Sequence, residues 1–139
     1  MRLIGFNFTK ISIEKAGSSK PIDNLKINTE IDISEIKELD SKVLEIKGEI
    51  IESKFSYKIK YEPEFANVGL EGRIILSVNP KEAKDILKEW KSKKMSEDFR
   101  LFLFNIILKR STLKALQLEE ELGLPLHMPM PSFRKEKKE

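Results

Sequence analysis

The chain has 139 residues, 40% hydrophobic and 35% charged, with 26 Lys and Arg against 23 Asp and Glu and no cysteine. That length suits one domain able to bury about two-thirds of its unfolded surface, with no room for separate catalytic and binding domains. The composition excludes a disordered chain, a disulfide framework, a thiol nucleophile and a thiolate zinc site, and no apolar run reaches the roughly eighteen residues that span a bilayer. A net charge of +3 is modest for a nucleic-acid binder, and the signs alternate along most of the chain.

The first half reads as strands. Ile4, Phe6 and Phe8 alternate with Gly5, Asn7 and Thr9, and the apolar phase then slips to Ile11 and Ile13, the mark of a bulge. Lys10 and Glu14 interrupt this stretch, so it does not read as a signal peptide, and a soluble cytoplasmic protein is expected. Gly17-Ser18-Ser19 and Pro21 mark a turn. Leu25, Ile27, Thr29, Ile31 and Ile33 then share one face, with Lys26, Asn28, Glu30 and Asp32 on the other. One buried and one wet face is the pattern of an antiparallel sheet covered on one side. Residues from Ser41 to Tyr61 predict a long strand with a second slip, from Leu44, Ile46, Gly48 and Ile50 to Ile51, Phe55, Tyr57, Ile59 and Tyr61. Pro63 ends it, and Val68, Leu70, Gly72, Ile74, Leu76 and Val78 set the phase of a fourth strand.

The second half is helical. Asn79-Pro80 with Glu82 is a helix start, and Ile86, Leu87 and Trp90 supply that helix with its apolar stripe. Ser96, followed by Glu97 and Asp98, caps a second helix that can run to Leu122, where Gly123 stands in the stopping position. The polar run Lys109-Arg110-Ser111-Thr112 either permits a bend or forms the wet end of a crossing. The order of strands, helices and a proline-rich segment predicts an α+β fold, a curved four-stranded antiparallel sheet with a long helix on one face. The organisation expected is one domain over residues 1–133 followed by a charged, mobile tail, 134–139.

Two stretches exceed what a lone domain needs. Between Phe99 and Leu108 every residue except Arg100 and Asn105 is apolar, whereas a surface helix needs a single stripe. The helix is either sandwiched inside the chain or faces a second copy of it. The other stretch is Leu124-Pro125-Leu126-His127-Met128-Pro129-Met130-Pro131. Proline-rich backbone needs no strand partner, and its alternate residues present flexible, polarizable side chains. It either covers its own domain or offers a surface to partners.

Leu101-Phe102-Leu103-Phe104-Asn105, a long helix, and then Gly123 to Phe133 resemble the SecB family of protein-export chaperones. In that family an aromatic-rich helix leads into a crossover of the form Gly-Phe-Pro-Pro-Leu-x-Leu-x-Pro-x-Asn-Phe, and Pro125, Leu126, Met128, Met130 and Phe133 fall on comparable positions. Asn67 to Gly72 is similar to the family's Ile, Gly and Glu strand segment, and four long strands before the helices match its layout. Two features depart from it. No second C-terminal helix follows Phe133, and a charged helix over Lys81 to Lys94 replaces a short connection, so the lid of the client groove and the contact with the export motor are not carried over. The resemblance implies an ATP-independent holdase for unfolded or precursor polypeptides, with no cofactor and no membrane insertion. Its client groove would use Leu124, Leu126, Met128, Met130 and Phe133. A homo-oligomer, by analogy a dimer of dimers, would use Leu101, Leu103, Phe104 and Ile107.

Chemistry of other kinds finds little support. His127 is the one histidine and lacks the further ligands a metal site needs; no nucleophile sits in a Gly-x-Ser-x-Gly setting; Glu119-Glu120-Glu121 reads as a solvated helix face. No enzyme is expected. The competing class is a nucleic-acid binder or adaptor, with Phe6, Phe8, Tyr57 and Tyr61 as stacking platforms beside Lys10, Lys58 and Lys60. Against it, those aromatics alternate with charged residues as core positions do.

Overall fold

The computed structural model describes residues 1–16, 24–40 and 48–136. The turn expected at Gly17 to Pro21, the strand start at Ser41 with Leu44 and Ile46, and the last three tail residues lie outside the described residues. Four strands are followed by two helices: β1 (Arg2–Lys15), β2 (Lys26–Leu39), β3 (Glu49–Glu62), β4 (Ala66–Val78), α1 (Pro80–Lys91) and α2 (Glu97–Glu121). The strands form one antiparallel sheet in the order β1-β4-β3-β2. The fold is α+β, as the order of patterns requires.

β3 and β4 form the centre of the sheet. Phe55, Tyr57, Ile59 and Tyr61 pair with Gly72, Leu70, Val68 and Ala66, and all eight are buried on the face that α2 covers. A one-residue slip would turn this whole set to water, so the register is strongly specified. Gly72 is required here, because an added Cβ would stand 2.7 Å from Phe55 Cζ and 2.6 Å from the Asn7 carbonyl oxygen of β1.

On the edge strands the sequence slips become register shifts. The shift between Phe8 and Lys10 is the expected bulge of β1. A shift between Ile33 and Glu35 in β2 returns Ile36 to the buried side. The slip expected at Gly48 to Ile51 behaves differently. From Glu49 onward β3 pairs with β4 without a shift, so the successive residues Ile50 and Ile51 lie on opposite faces of the sheet, and both are fully buried.

Both helices start where their capping residues stand. Asn79 accepts the Glu82 N–H at 2.7 Å while the Glu82 carboxylate returns to the Asn79 N–H, with Pro80 at the first position. Ser96 caps α2 through the Phe99 N–H. Phe99, Leu103, Ile107, Ser111, Ala115 and Glu119 recur every fourth residue and are all buried. The polar run at Lys109 to Thr112 does not end this 25-residue helix. Ser111 is turned inward, and the Thr112 hydroxyl lies 3.4 Å from that of Tyr57.

Helix α2 stops in a Schellman turn. Gly123 adopts φ 65°, its N–H reaches the Glu120 carbonyl, and the Leu124 N–H reaches that of Glu119 at 2.8 Å. The chain then runs back over the end of the core without helix or strand.

Candidate functional site

The returning segment and α2 line a groove of about 920 Å³. Asn105, Leu108, Lys109, Thr112, Leu113 and Leu116 of α2 form one wall. Residues His127 to Pro131 form the other, and Tyr57 of β3 with Thr29 of the edge strand β2 lies between them. Leu108, Leu113, Met128 and Met130 are each 41% to 60% exposed, so the lining is largely apolar and open to solvent. Unfilled apolar concavities of this kind mark binding surfaces more often than inert ones.

A buried polar network sits beneath the groove. The Glu119 side chain is wholly buried, and its Oε1 accepts the His127 backbone N–H at 2.7 Å. His127 Nδ1 lies 2.7 Å and 2.9 Å from the two carboxylate oxygens. A carboxylate only accepts, so this partnership places a proton on Nδ1. The far ring nitrogen, Nε2, is 3.1 Å from the Tyr57 hydroxyl, which it meets as acceptor in the neutral ring and as donor in the charged one. Tyr61 Oη stands 2.6 Å from both Glu119 Oε1 and the Pro125 carbonyl oxygen, with one proton to serve the pair.

Burial drives both phenols upward in pKa. For Tyr61 the hydrogen bond to Glu119 and that carboxylate's charge add to burial; for Tyr57 the contact with Thr112 works against it. Glu119, His127 and Tyr57 stand in the order of a general-base relay. Here the terminal hydroxyl is that of a buried tyrosine, and its burial favours the protonated phenol. Among the described residues no group of three or more His, Asp or Glu is arranged to hold a metal ion, and no helix is long and apolar enough to cross a membrane.

The comparison with solved structures supplies a relative in shape. The chain matches the SecB-like chaperone Rv1957 of Mycobacterium tuberculosis, solved in complex with a ChAD peptide from the Rv1956 HigA1 antitoxin, with a TM-score of 0.57 over 90% of this chain and 82% of that one. The fold is SecB-like. At 11% identity the likeness concerns fold alone. No protein-family model and no curated protein matches the chain in sequence.

Of the residues expected to bind a client, some line this hollow and some do not. Met128 and Met130 line it. Leu126 at 38% exposure and Phe133, fully exposed, are accessible but outside its walls. Leu124 lies outside the hollow: it is 5% exposed and packs into the core, its N–H tied to the Glu119 carbonyl by the Schellman turn. The expected interface divides too. Leu103 and Ile107 have no exposed surface in the single chain, since they lie on the α2 stripe that faces the sheet. Leu101, 47% exposed, and Phe104, half-buried, remain on accessible faces.

Of the four aromatics considered as stacking platforms, Tyr57 and Tyr61 are buried. Phe6 and Phe8 pack on Phe55, with ring centroids 5.3 Å and 6.3 Å from it, and the Arg110 guanidinium covers Phe6 at 5.4 Å. Phe6 and Phe8 are half-buried by these contacts.

Sequence reasoning missed Glu119, which is no part of a solvated face. Its signal was available, because position 119 continues the fourfold spacing of Leu103, Ile107, Ser111 and Ala115. The three consecutive acids masked it.

Proposed function

We propose that the protein is an ATP-independent chaperone, a holdase that takes unfolded polypeptide in extended form into the groove between α2 and residues 127–131. The observation that carries this reading is an open, largely apolar groove of about 920 Å³ with Met128 and Met130 on one side and Leu108 and Leu113 on the other. Proline at 125, 129 and 131 limits what that wall loses in order on binding, and methionine repacks around clients of different shape. Burying one large client side chain is worth about 1.5–3 kcal/mol. A few such anchors, less the cost of ordering the client, give dissociation constants of about micromolar size. A SecB-like relative solved with a bound peptide agrees with a polypeptide as the partner. On this reading the clients are unfolded or precursor chains met in the cytoplasm, and the accessible side of α2 with Leu101 and Phe104 joins copies into a dimer of dimers.

The test is suppression of aggregation of a reduced, unfolding substrate, followed by light scattering without nucleotide. Wild-type protein should suppress it near stoichiometric amounts. The double variant Met128→Ser, Met130→Ser removes apolar area and adds no charge, and should weaken suppression several-fold with melting temperature and solution mass unchanged. A wild-type protein without effect, or a double variant as active as wild type, would sink the proposal.

A further inference from the structure

One wall of the groove belongs to no helix or strand, and the prolines at 125, 129 and 131 have no N–H to anchor it. Its course is held through polar contacts instead. The Pro125 carbonyl oxygen is met by Tyr61 Oη at 2.6 Å. Two residues on, the backbone N–H and ring Nδ1 of His127 both reach Glu119 Oε1 at 2.7 Å, while Nε2 reaches Tyr57 at 3.1 Å. Upstream, Gly123 and Leu124 are tied to α2 by the Schellman turn. Downstream, Met128 to Pro131 are exposed. His127 is therefore the last firmly held residue before the client-facing methionines. Burying a carboxylate is costly unless its oxygens are satisfied, and Glu119 is satisfied by His127 of the segment it holds together with the Tyr61 hydroxyl.

We propose that Glu119 and His127 are positioning residues for the groove, a latch that sets the course of residues 125–131 and with it the affinity for an unfolded polypeptide segment. The inference rests on the groove being the client site. His127 also lines that groove, so water can take the place of its ring when the ring is removed, and loss of the latch need not unfold the core. In the client-free state the latch holds the wall in place in advance, sparing the client that ordering cost.

Two measurements test it. The first is hydrogen exchange on the protein alone: His127→Ala should accelerate exchange in residues 126–130 and leave β3 and β4 unchanged. The second is affinity for reduced, carboxymethylated α-lactalbumin, a permanently unfolded probe. His127→Ala should lose about tenfold, the worth of one charge-assisted hydrogen bond. His127→Asn, whose amide nitrogen can stand where Nδ1 stood, should recover most of that loss at equal folded fraction. Undiminished affinity in His127→Ala, no recovery in His127→Asn, or a loss that merely follows the unfolded fraction would each overturn the latch. Should wild type bind no probe, the proposed function fails by itself. The exchange experiment then decides the latch alone: acceleration confined to 126–130 upholds it as the anchor of that wall, and its absence overturns it.

Discussion

Tyr57 and Tyr61 turn their hydroxyls out of the sheet toward α2 and the returning segment, and burial raises both phenols above the ordinary value of about 10. The sign follows from proton counting. Above about pH 10 the unfolded chain gives up phenolic protons that the folded chain keeps, so stability attached to these two residues is complete below that pH and is lost as pH rises beyond it. Ultraviolet titration should show no phenolate until the native circular dichroism is lost in base. Phenolate appearing near pH 10 with the native spectrum intact would contradict this. The same cluster shows what residue identity leaves open. Glu119 and Glu120 are neighbours of one type, yet one is wholly buried and the other exposed, because the fourfold spacing of α2 turns only the first inward.

Among the elements, the sheet is most sensitive where three strands meet. Gly72 of β4 lies between Phe8 of β1 and Phe55 of β3, and a Cβ added there would run into both the Phe55 ring and the Asn7 carbonyl. Gly72→Ala should lower stability by about 3 kcal/mol in urea denaturation, through overpacking and not through helix or turn propensity. Adding Phe55→Leu should restore only part of the loss, since the Asn7 carbonyl still stands in the way. A Gly72→Ala protein as stable as wild type would mean that β1 can move off at little cost. The bulge in β1 was legible as a phase slip because that strand lies at the edge, where only one neighbour constrains the register. The slip before Ile51 was not a bulge, because apolar side chains on both faces of a central strand give the same pattern.

For the molecule as a whole, α2 carries two kinds of apolar surface. Leu103 is sealed against the sheet while Leu101, two residues away, is 47% exposed. The same substitution at each should therefore part assembly from folding. Leu101→Lys should yield a folded protein of lower mass in light scattering, with little change in melting temperature. Leu103→Lys should cost more than about 3 kcal/mol or prevent folding, as a charge is driven into the core. A folded wild-type monomer at micromolar concentration would refute the proposed assembly.

The sequence by itself determined the strand and helix order, both caps, the buried phase of β3 and β4 and the stop at Gly123, because each rests on local chemistry or on a short repeat. The proline-rich stretch was visible as a segment that neither helix nor sheet could use, and Met128 and Met130 as its projecting residues. Only the tertiary structure decided which of two apolar faces of α2 is core, since the composition of Phe99 to Leu108 is alike all round. It alone decided that Leu124 plugs the core while Leu126 does not. The pairing of Glu119 with His127 and the two tyrosines was likewise beyond the sequence. Those side chains are up to 70 residues apart, and they meet only because α2 packs on the sheet and the chain after Gly123 returns to both.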